Sequence, residues 1–417
     1  MILGNLKKRL KLHRDRKIKR DLKKNRFQDS FPVIDALQNV GDTKFSLGER
    51  SNELNPAIVY VAEGQFVDKK VPQCSALKVD VLHLSNTVII ARTDGFVLNG
   101  KCFHPDILKQ SPDRHQAKNQ SVKLDSVDGG NVIRLPKSFP KPRVIKGATV
   151  SLVKEHSFNY YHFVFECLPK LLLILQQNLF ERKGTESVGR TTTILIDEDV
   201  PQQCVEYLDL VVDVPYSVVR VATDEIICCE HLIYCSPFFD ALDNIRVDQF
   251  DVRDFYVDRF AVEIVKKAFQ SKTSKLCEPK KRIYLNRRTT QVRKIINAAE
   301  VEGVLQRYGY ESVFADEYSL SEQIALFQGA RVVVGASGAA FANMIHMQPD
   351  TSAIMFTPDL PFTNYHLFQQ QADVSGVKLV HLHTDNPNHH KTLHDDVYLN
   401  VRLLACLLKE LHRGDAV

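Results

Sequence analysis

Several features that mark other classes of protein are missing from this sequence. No run of about 18 apolar residues occurs, so no membrane-spanning helix is predicted. The nine cysteines include no C-x-x-C pair and no zinc-like spacing, and we therefore expect reduced, buried thiols. The N-terminus lacks the apolar core of a signal peptide, which predicts a cytoplasmic protein. Basic residues exceed acidic ones by only 55 to 50, too small an excess to predict nucleic-acid binding.

The basic residues are concentrated at the N-terminus. Residues 1–26 contain twelve Lys or Arg and only two Asp. Apolar residues share one face of this segment if it is helical: Leu3, Leu6, Leu10, Ile18 and Leu22. Such a basic amphipathic tail can lie on an anionic membrane surface, at the inner face of the cytoplasmic membrane. A disordered, solvated tail is the alternative that the pattern leaves open.

The length of 417 residues and the alternating patterns predict an α/β protein of two domains. We assign residues 27–270 to the N-terminal domain, whose part 55–154 is rich in short β patterns separated by turns such as Asn99-Gly100. From Asn159 the sequence NYYHFVFECLPKLLLILQQN predicts one long helix. Strand patterns follow this helix, which indicates a parallel sheet.

The C-terminal domain, residues 271–395, alternates more regularly between strand and helix patterns. The predicted strands are 282–286, 310–314, 331–335, 351–356 and 377–382. This alternation predicts a doubly wound sheet, in which ligands bind at the carboxyl ends of the strands. Residues 396–417 predict a final helix that crosses back to the first domain.

One turn in the C-terminal domain has a composition typical of phosphate-binding sites. Residues 331–334 predict a buried strand that Gly335 ends, residues 335–338 have no bulky side chain, and an apolar helix begins at Ala339. Backbone N–H groups and the positive end of the helix dipole would then face a bound phosphate. Because a Gly-x-x-Gly spacing is a weak signal, close packing of a helix on a sheet is the alternative.

A second candidate site lies on the helix that begins at Asn159. His162 and Glu166 are four residues apart, so their side chains share one face of an otherwise apolar helix. A histidine supported by a carboxylate can act as a general base. A surface pair is the alternative, but the apolar surroundings favour a cleft.

Three arginines follow the predicted strand 282–286 at its carboxyl end: Arg287, Arg288 and Arg293. Their guanidinium groups could bind a diphosphate, and they could meet the Gly335 turn in one crevice because both follow strands of the same sheet. A solvated basic loop is the alternative. Five histidines in the C-terminal region suggest no closed set of ligands, so no metal site is predicted: His381, His383, His389, His390 and His394.

Three stretches together resemble the family 61 glycosyltransferases, which include plant arabinosyl- and xylosyltransferases, animal O-linked N-acetylglucosaminyltransferases and bacterial capsular-polysaccharide enzymes. NYYHFVFECLPKL (159–171) is similar to the family's Asn-Tyr-x-His segment with an acidic residue four positions later. RIYLNRRTTQVRKIIN (282–297) is similar to its Arg-rich segment, and residues 319–356 are similar to its Glu-Gln helix, strand and His-Gly-Ala-Gly-Leu-x-Asn turn. We identify the bacterial, capsule-type branch of the family as the nearest.

The resemblance implies a GT-B architecture, with two Rossmann-like domains that face a cleft, and inverting, metal-independent transfer of a hexosyl or pentosyl group without a cofactor. It places His162 and Glu166, with Asn159 and Tyr161, on the acceptor side. The donor diphosphate is assigned to the arginines and the turn: Arg287, Arg288, Arg293, Gly335, Ser337, Gly338, Ala339 and Asn343. Gln323 matches a family glutamine, and Glu317 is a candidate for the ribose hydroxyls of the donor, for which a UDP-sugar comes first.

Two departures from the family pattern affect the predicted function. Ser337 stands where the turn of the family has histidine, and Ala298 stands where the Arg-rich segment ends in glutamate. We expect a glycosyltransferase that acts on an oligo- or polysaccharide acceptor, free or lipid-linked, in capsular or other surface polysaccharide synthesis. The alternative is a non-catalytic carbohydrate-binding or scaffold member of a polysaccharide assembly complex. Neither the sugar nor the oligomeric state can be deduced from the sequence.

Overall fold

A computed structural model gives the fold of the chain. It describes residues 2–32, 37, 40, 42–48, 50–51, 54–70, 75–105, 122–127, 130–179, 191–238, 240–241, 255–270, 278–287, 294–360, 363–385 and 395–413. The mixed α/β class expected from the sequence is confirmed. Two compact units are formed: unit 1 is Met1–Arg50 with Ser75–Phe250, and unit 2 is Ser51–Cys74 with Asp251–Val417.

The α-helices are α1 (Ile2–Lys23), α2 (Tyr160–His162), α3 (Leu168–Gln176), α4 (Gln202–Val211), α5 (Arg259–Gln270), α6 (Ala298–Arg307), α7 (Leu320–Gln328), α8 (Gln369–Ser375) and α9 (Val401–Leu411). A π-helical turn, Phe163–Cys167, joins α2 to α3, and there are 3₁₀ helices at Ala315–Glu317 and Ala339–His346. Within the described residues, no helix is both long and apolar enough to cross a membrane.

The strands are β1 (Phe27–Pro32), β2 (Asp42–Leu47), β3 (Arg50–Ser51), β4 (Ala57–Ala62), β5 (Gln65–Lys69), β6 (Ser75–Ala76), β7 (Val79–Ile90), β8 (Phe96–Leu98), β9 (Lys101–Phe103), β10 (Lys123–Val127), β11 (Gly130–Pro136), β12 (Arg143–Ser151), β13 (Thr192–Asp197), β14 (Tyr216–Val221), β15 (Ile226–Cys235), β16 (Asp240–Ala241), β17 (Phe255–Tyr256), β18 (Lys281–Leu285), β19 (Glu311–Val313), β20 (Ala330–Ala336), β21 (Thr351–Pro358) and β22 (Val377–Thr384).

The main sheet of unit 1 has a doubly wound part. Its strand order is β14-β13-β12-β15-β7-β8-β9, with β2 also paired to β7. The four strands from β14 to β15 are parallel, and β7 joins them antiparallel. Along the chain the order of the parallel strands is third, second, first, fourth, so the winding reverses between β12 and β15. The segment that leads to His162 leaves the carboxyl end of β12 at this reversal, which is where ligands bind in such sheets.

Helix α1 packs against the rest of unit 1 through one buried apolar residue and several ion pairs. Ile18 is buried in a cluster with Ile90, Val97 and other apolar residues. Lys11 pairs with Asp199, and Arg14 pairs with Glu198. Residues 2–23 are therefore helical in the structure, and the predicted contact of this segment with a membrane stays a prediction.

Unit 2 contains a seven-stranded sheet of order β19-β18-β20-β21-β22-β4-β5. All pairs are parallel except β4 with β5. Counted from β18, the first five strands have the order 2-1-3-4-5, so the winding reverses between β18 and β20. The five strands predicted for this domain are all present, with ends shifted by one or two residues.

Several helices and strands belong to a different unit from the one that the sequence predicts. Helix α5 was assigned to the N-terminal domain, which was expected to end at residue 270, but unit 2 resumes at Asp251 and includes this helix. Strand β4 was expected in the N-terminal β-rich part, but it pairs with β22 and buries Ala57, Val59 and Tyr60 in unit 2. Helix α9 was expected to cross back to the first domain, whereas Leu404 and Leu407 pack into the main apolar core of unit 2. Strand β4 and helix α9 bury apolar side chains in unit 2. Removal of this apolar surface from water stabilises both segments in that position.

Candidate functional site

The residues that the sequence predicts as a general base and its partner form a hydrogen bond in unit 1. His162 Nδ1 lies 2.6 Å from Glu166 Oε1. The second carboxylate oxygen of Glu166 lies 3.0 Å from Lys154 Nζ. Glu166 and Lys154 are buried, with 1% and 4% of their side chains exposed, while His162 retains 14%. The three side chains thus form a row that begins in the interior and ends at the surface with the imidazole.

The local helix geometry explains how this row is positioned. Asn159 caps α2, since its side chain accepts a hydrogen bond from the Tyr161 N–H at 3.0 Å. Tyr161 is buried and packs against Phe165. The predicted long helix is interrupted by the π turn Phe163–Cys167, which contains Glu166. Such turns occur frequently at functional sites. Asn159 and Tyr161, predicted on the acceptor side, therefore hold the start of the helix.

The positive charge of Lys154 and the contact with His162 keep Glu166 ionised. Burial alone would raise the pKa of this carboxyl group, but Lys154 and His162 outweigh burial and lower its pKa to about 2. An ionised carboxylate accepts the hydrogen bond, so the proton of the imidazole lies on Nδ1 and the basic lone pair on Nε2. The arrangement can therefore remove a proton from a hydroxyl group that approaches the exposed side of His162.

The loop that carries Lys154 is fixed by Asp197 at the carboxyl end of β13. Asp197 Oδ2 accepts hydrogen bonds from the Lys154 N–H, at 3.0 Å, and from the Ser157 hydroxyl. Burial raises the pKa of Asp197 to about 6. Sequence analysis missed both Lys154 and Asp197. Their positions could have indicated a functional role, because each residue lies at or just after the carboxyl end of a parallel strand.

Arg287 and the glycine turn meet in unit 2, as their positions after two strands of one sheet predict. Arg287 Nη2 donates a hydrogen bond to the Ser337 carbonyl at 2.7 Å. The guanidinium lies against Gly338, where a Cβ atom would be only 1.7 Å from Nη2. These residues follow β18 and β20, the strands between which the winding reverses. Arg288 and Arg293 lie outside the described residues.

The turn differs in detail from the sequence prediction. Gly335 does not end the strand: β20 continues to Ala336, which pairs with Phe356, and the Ser337 N–H donates to the Phe356 carbonyl at 3.0 Å. The following helix is 3₁₀ and not α-helical. Its first residue, Ala339, is partly exposed together with Ser337. The accessible surface therefore combines one guanidinium, one hydroxyl residue and the start of a short helix.

Two glycines of this turn allow a matched test. A Cβ atom on Gly335 would lie 2.9 Å from both Leu285 Cβ and the Leu285 carbonyl oxygen, so Gly335→Ala should destabilise unit 2 by about 1–3 kcal/mol. A Cβ atom on Gly338 meets only the flexible end of Arg287 at short range. Since the resemblance assigns this turn to the donor diphosphate, we expect Gly338→Ala to remain folded and to lose UDP affinity, because the guanidinium is displaced.

Chemical denaturation and calorimetry with UDP separate the two effects. A Gly338→Ala variant that binds UDP as tightly as the unmodified chain would show that the position of Arg287 does not matter for the nucleotide.

The remaining predicted donor residues occupy different environments. Asn343 is fully buried, and its Nδ2 donates to Gln323 Oε1 at 2.8 Å. Gln323 is also buried and donates to the Tyr318 carbonyl. Because neither side chain faces solvent, this pair joins α7 to the 3₁₀ helix and does not contact a ligand in this arrangement. Glu317 is exposed on the 3₁₀ helix that follows β19.

The histidine-rich C-terminal segment does not form a metal centre in the described part of the chain. His381 is buried beside Thr357, and His383 lies 2.9 Å from the Tyr365 hydroxyl. Across the described ranges, no three His, Cys, Asp or Glu side chains gather as metal ligands. His389, His390 and His394 fall outside those ranges.

Comparison with known proteins gives one informative match. No curated protein matches the chain significantly. Two crystal structures of the acyl-CoA transferase YdiF from Escherichia coli O157:H7, one a thioester complex with CoA and one the apoenzyme, align at 10% identity with TM-scores of 0.13 and 0.14. They cover 58% and 71% of this chain, which spans 48% and 57% of theirs, and such low scores carry no weight for fold or function.

The family model Glycosyltransferase 61 matches residues 160–354. This range includes His162, Glu166, Arg287 and the Gly335 turn, and it contains most of the three stretches that carry the resemblance. The match bears out the resemblance to glycosyltransferase family 61 that the sequence predicts.

Proposed function

We propose that the chain is an inverting glycosyltransferase that moves a hexosyl or pentosyl group from a nucleotide sugar to a hydroxyl group of a glycan. The family match supports glycosyl transfer as the reaction class. The observation that carries the proposal further is the 2.6 Å hydrogen bond between His162 and Glu166. A single displacement with inversion needs a base for the acceptor hydroxyl, and these residues provide one.

In this mechanism His162 Nε2 removes the proton of the acceptor hydroxyl as its oxygen attacks the anomeric carbon. Positive charge then develops on the imidazole, and the Glu166 carboxylate stabilises it. Lys154 keeps Glu166 ionised before the reaction begins. Because this stabilisation grows in the transition state, it lowers the barrier and does more than hold the substrate.

The donor is assigned to unit 2. Arg287 and the N–H groups at the start of the 3₁₀ helix would stabilise the negative charge that builds on the departing nucleoside diphosphate. Glu317 follows β19, the strand next to β18, and an acidic residue there suits the hydroxyls of a ribose. We favour a UDP-sugar, and we assign charge neutralisation to these groups without a metal ion. Unaltered turnover in EDTA would support that assignment.

The division of roles between the units is that of a GT-B enzyme, with the acceptor side in unit 1 and the donor side in unit 2. We further propose cytoplasmic synthesis of capsular or other surface polysaccharide on an acceptor that can be lipid-linked. On α1, Leu10 is exposed on the same side of the helix as Lys17, and an exposed apolar residue next to a basic one suits an anionic membrane surface. Flotation of the full chain with liposomes that contain or lack anionic lipid tests this location.

A non-catalytic carbohydrate-binding or scaffold role is the second candidate, and one observation favours it. Ser337 stands where the resemblance expects a histidine, so protonation of the leaving group by that residue would be lost. Release of UDP from a panel of UDP-sugars, measured with and without glycan acceptors, separates the two functions. Acceptor-dependent release supports the transferase. Nucleotide or glycan binding without release from any donor supports the scaffold.

A further inference from the structure

A cavity of about 400 Å³ lies within unit 1, next to the catalytic histidine. Its walls come from α1, from the turn between β7 and β8, and from the segment that follows β12. This volume is at the lower end of the roughly 300–1,000 Å³ found for small-molecule sites. His156 lines the cavity, and its ring centroid is 5.7 Å from that of His162. The imidazole ring of His156 would therefore separate a ligand in the cavity from His162, the proposed base.

Two wall residues have an unusual backbone conformation. Arg92 has φ of 57° and His156 has φ of 64°. The other five non-glycine residues with positive φ in the described ranges are all Asn or Asp, which tolerate this region more readily. Residues held in such conformations cluster at functional sites. Both exceptions to the Asn and Asp pattern thus face one cavity.

The charges of the wall balance each other. Lys11, Lys19 and Arg92 are opposed by three carboxylates, Asp15, Glu155 and Asp199. Arg92 lies 3.4 Å from Asp199 Oδ2 and 3.8 Å from Asp15 Oδ1. Such paired charges present hydrogen-bond donors and acceptors without a net field, which suits a neutral polyhydroxyl ligand better than a phosphate.

Two further features point to a sugar. Phe158 is 41% exposed and lies at the cavity wall, where Lys11 Nζ is 5.9 Å from the centroid of its ring. The exposed part of the ring is apolar surface that the C–H groups of a pyranose can contact. Asp199 adds a partly exposed carboxylate to the wall, and its Oδ2 pairs with Lys11 and Arg92. A carboxylate oxygen can accept more than one hydrogen bond, including one from a sugar hydroxyl.

We propose that this cavity is an acceptor subsite that binds one uncharged sugar residue of the glycan, with α1 as one wall and Phe158 as the stacking face. Its assignment to the acceptor rests on the proposed function. The N-terminal helix then has a role in acceptor binding. The bound residue would present the reacting hydroxyl, or that of its neighbour, to His162.

Saturation-transfer NMR of the full chain with a panel of neutral methyl glycosides and disaccharides tests the subsite in the absence of any nucleotide sugar. We expect at least one glycoside to bind, and Phe158→Ala to weaken that binding roughly tenfold or more. Arg92→Asn removes the guanidinium but tolerates the left-handed backbone, so it should weaken binding. Urea denaturation of this variant measures the cost of losing the ion pairs with Asp15 and Asp199 separately. Arg16→Ala, at an exposed position of α1 that does not line the cavity, is the matched control and should bind like the unmodified chain.

Three results would overturn the subsite: no glycoside binds, binding is unchanged in Phe158→Ala and Arg92→Asn, or inorganic phosphate displaces the glycoside. The last result would show an anion site in place of a neutral sugar site. Because no donor is present, glycoside binding can succeed while transfer fails. If transfer occurs but Phe158→Ala leaves the acceptor KM unchanged, the proposed transferase function is supported and the proposed acceptor subsite is wrong.

Discussion

His162→Ala is expected to abolish sugar transfer while donor binding survives. A general base contributes about 10²–10⁴-fold to rate, so kcat should fall by at least that range when the imidazole is removed. The imidazole belongs to unit 1 and hydrogen bonds to Glu166, whereas the donor is assigned to unit 2. Calorimetry with UDP should therefore give the same affinity for the variant and the unmodified chain.

The matched control is His13→Ala, which removes an exposed histidine of α1. It should leave both kcat and UDP affinity unchanged. If His162→Ala instead keeps its rate, the general base lies elsewhere. If the folded variant loses UDP binding, His162 contacts the donor and its assigned role is wrong.

Lys154→Met is expected to have the second large effect, on both stability and rate. The substitution leaves the Glu166 carboxylate buried without its lysine, and breaking a buried ion pair costs about 3–5 kcal/mol. Burial then raises the pKa of Glu166 from its value of about 2, because Lys154 is the strongest of the groups that lower it. As the carboxylate supports His162 less well, kcat should fall roughly tenfold for each 1.4 kcal/mol of lost stabilisation.

A double variant separates the two effects. Lys154→Met combined with Glu166→Gln removes both charges, so the free energy of unfolding should return close to that of the unmodified chain. The rate should remain low, since no carboxylate supports the imidazole. Urea denaturation and UDP release of the single and double variants measure this cycle. Recovery of rate together with stability would show that Glu166 has only a structural role.

The pH dependence of stability has a sign that follows from the same pair. Glu166 has a lower pKa in the folded chain than its ordinary value near 4.5, so folding favours the ionised form. Its contribution to stability is present above about pH 4.5 and is lost as the pH falls towards about 2. In the double variant this contribution is absent at every pH.

Local periodicity and the positions of the predicted strands were sufficient for two parts of the site. The i, i+4 spacing of His162 and Glu166 predicts a shared helix face, and the hydrogen bond between them fits it. The placement of the Arg287 loop and the Gly335 turn after strands of one sheet predicts their proximity, which the Arg287 contact with Ser337 confirms. In each case a short sequence pattern determines the geometry.

Features that depend on distant partners could not be predicted in this way. Asn343 and Gln323 match a family pattern, but their burial depends on how α7 packs against the 3₁₀ helix. Strand β4 pairs across more than 300 residues with β22, and nothing in its local sequence specifies that partner. Lys154 lies in the segment after β12 and pairs with Glu166 of the π turn in the folded chain, and no local sequence pattern predicts that pair.

Proton NMR of the anomeric signals, recorded while the full chain consumes a nucleotide sugar in the presence of a glycan acceptor, tests the central claim most directly. The mechanism predicts a product whose anomeric configuration is opposite to that of the donor, because an acceptor hydroxyl activated by His162 attacks in a single displacement. A product that retains the configuration of the donor would contradict a direct attack by the acceptor and, with it, the role assigned to His162 and Glu166.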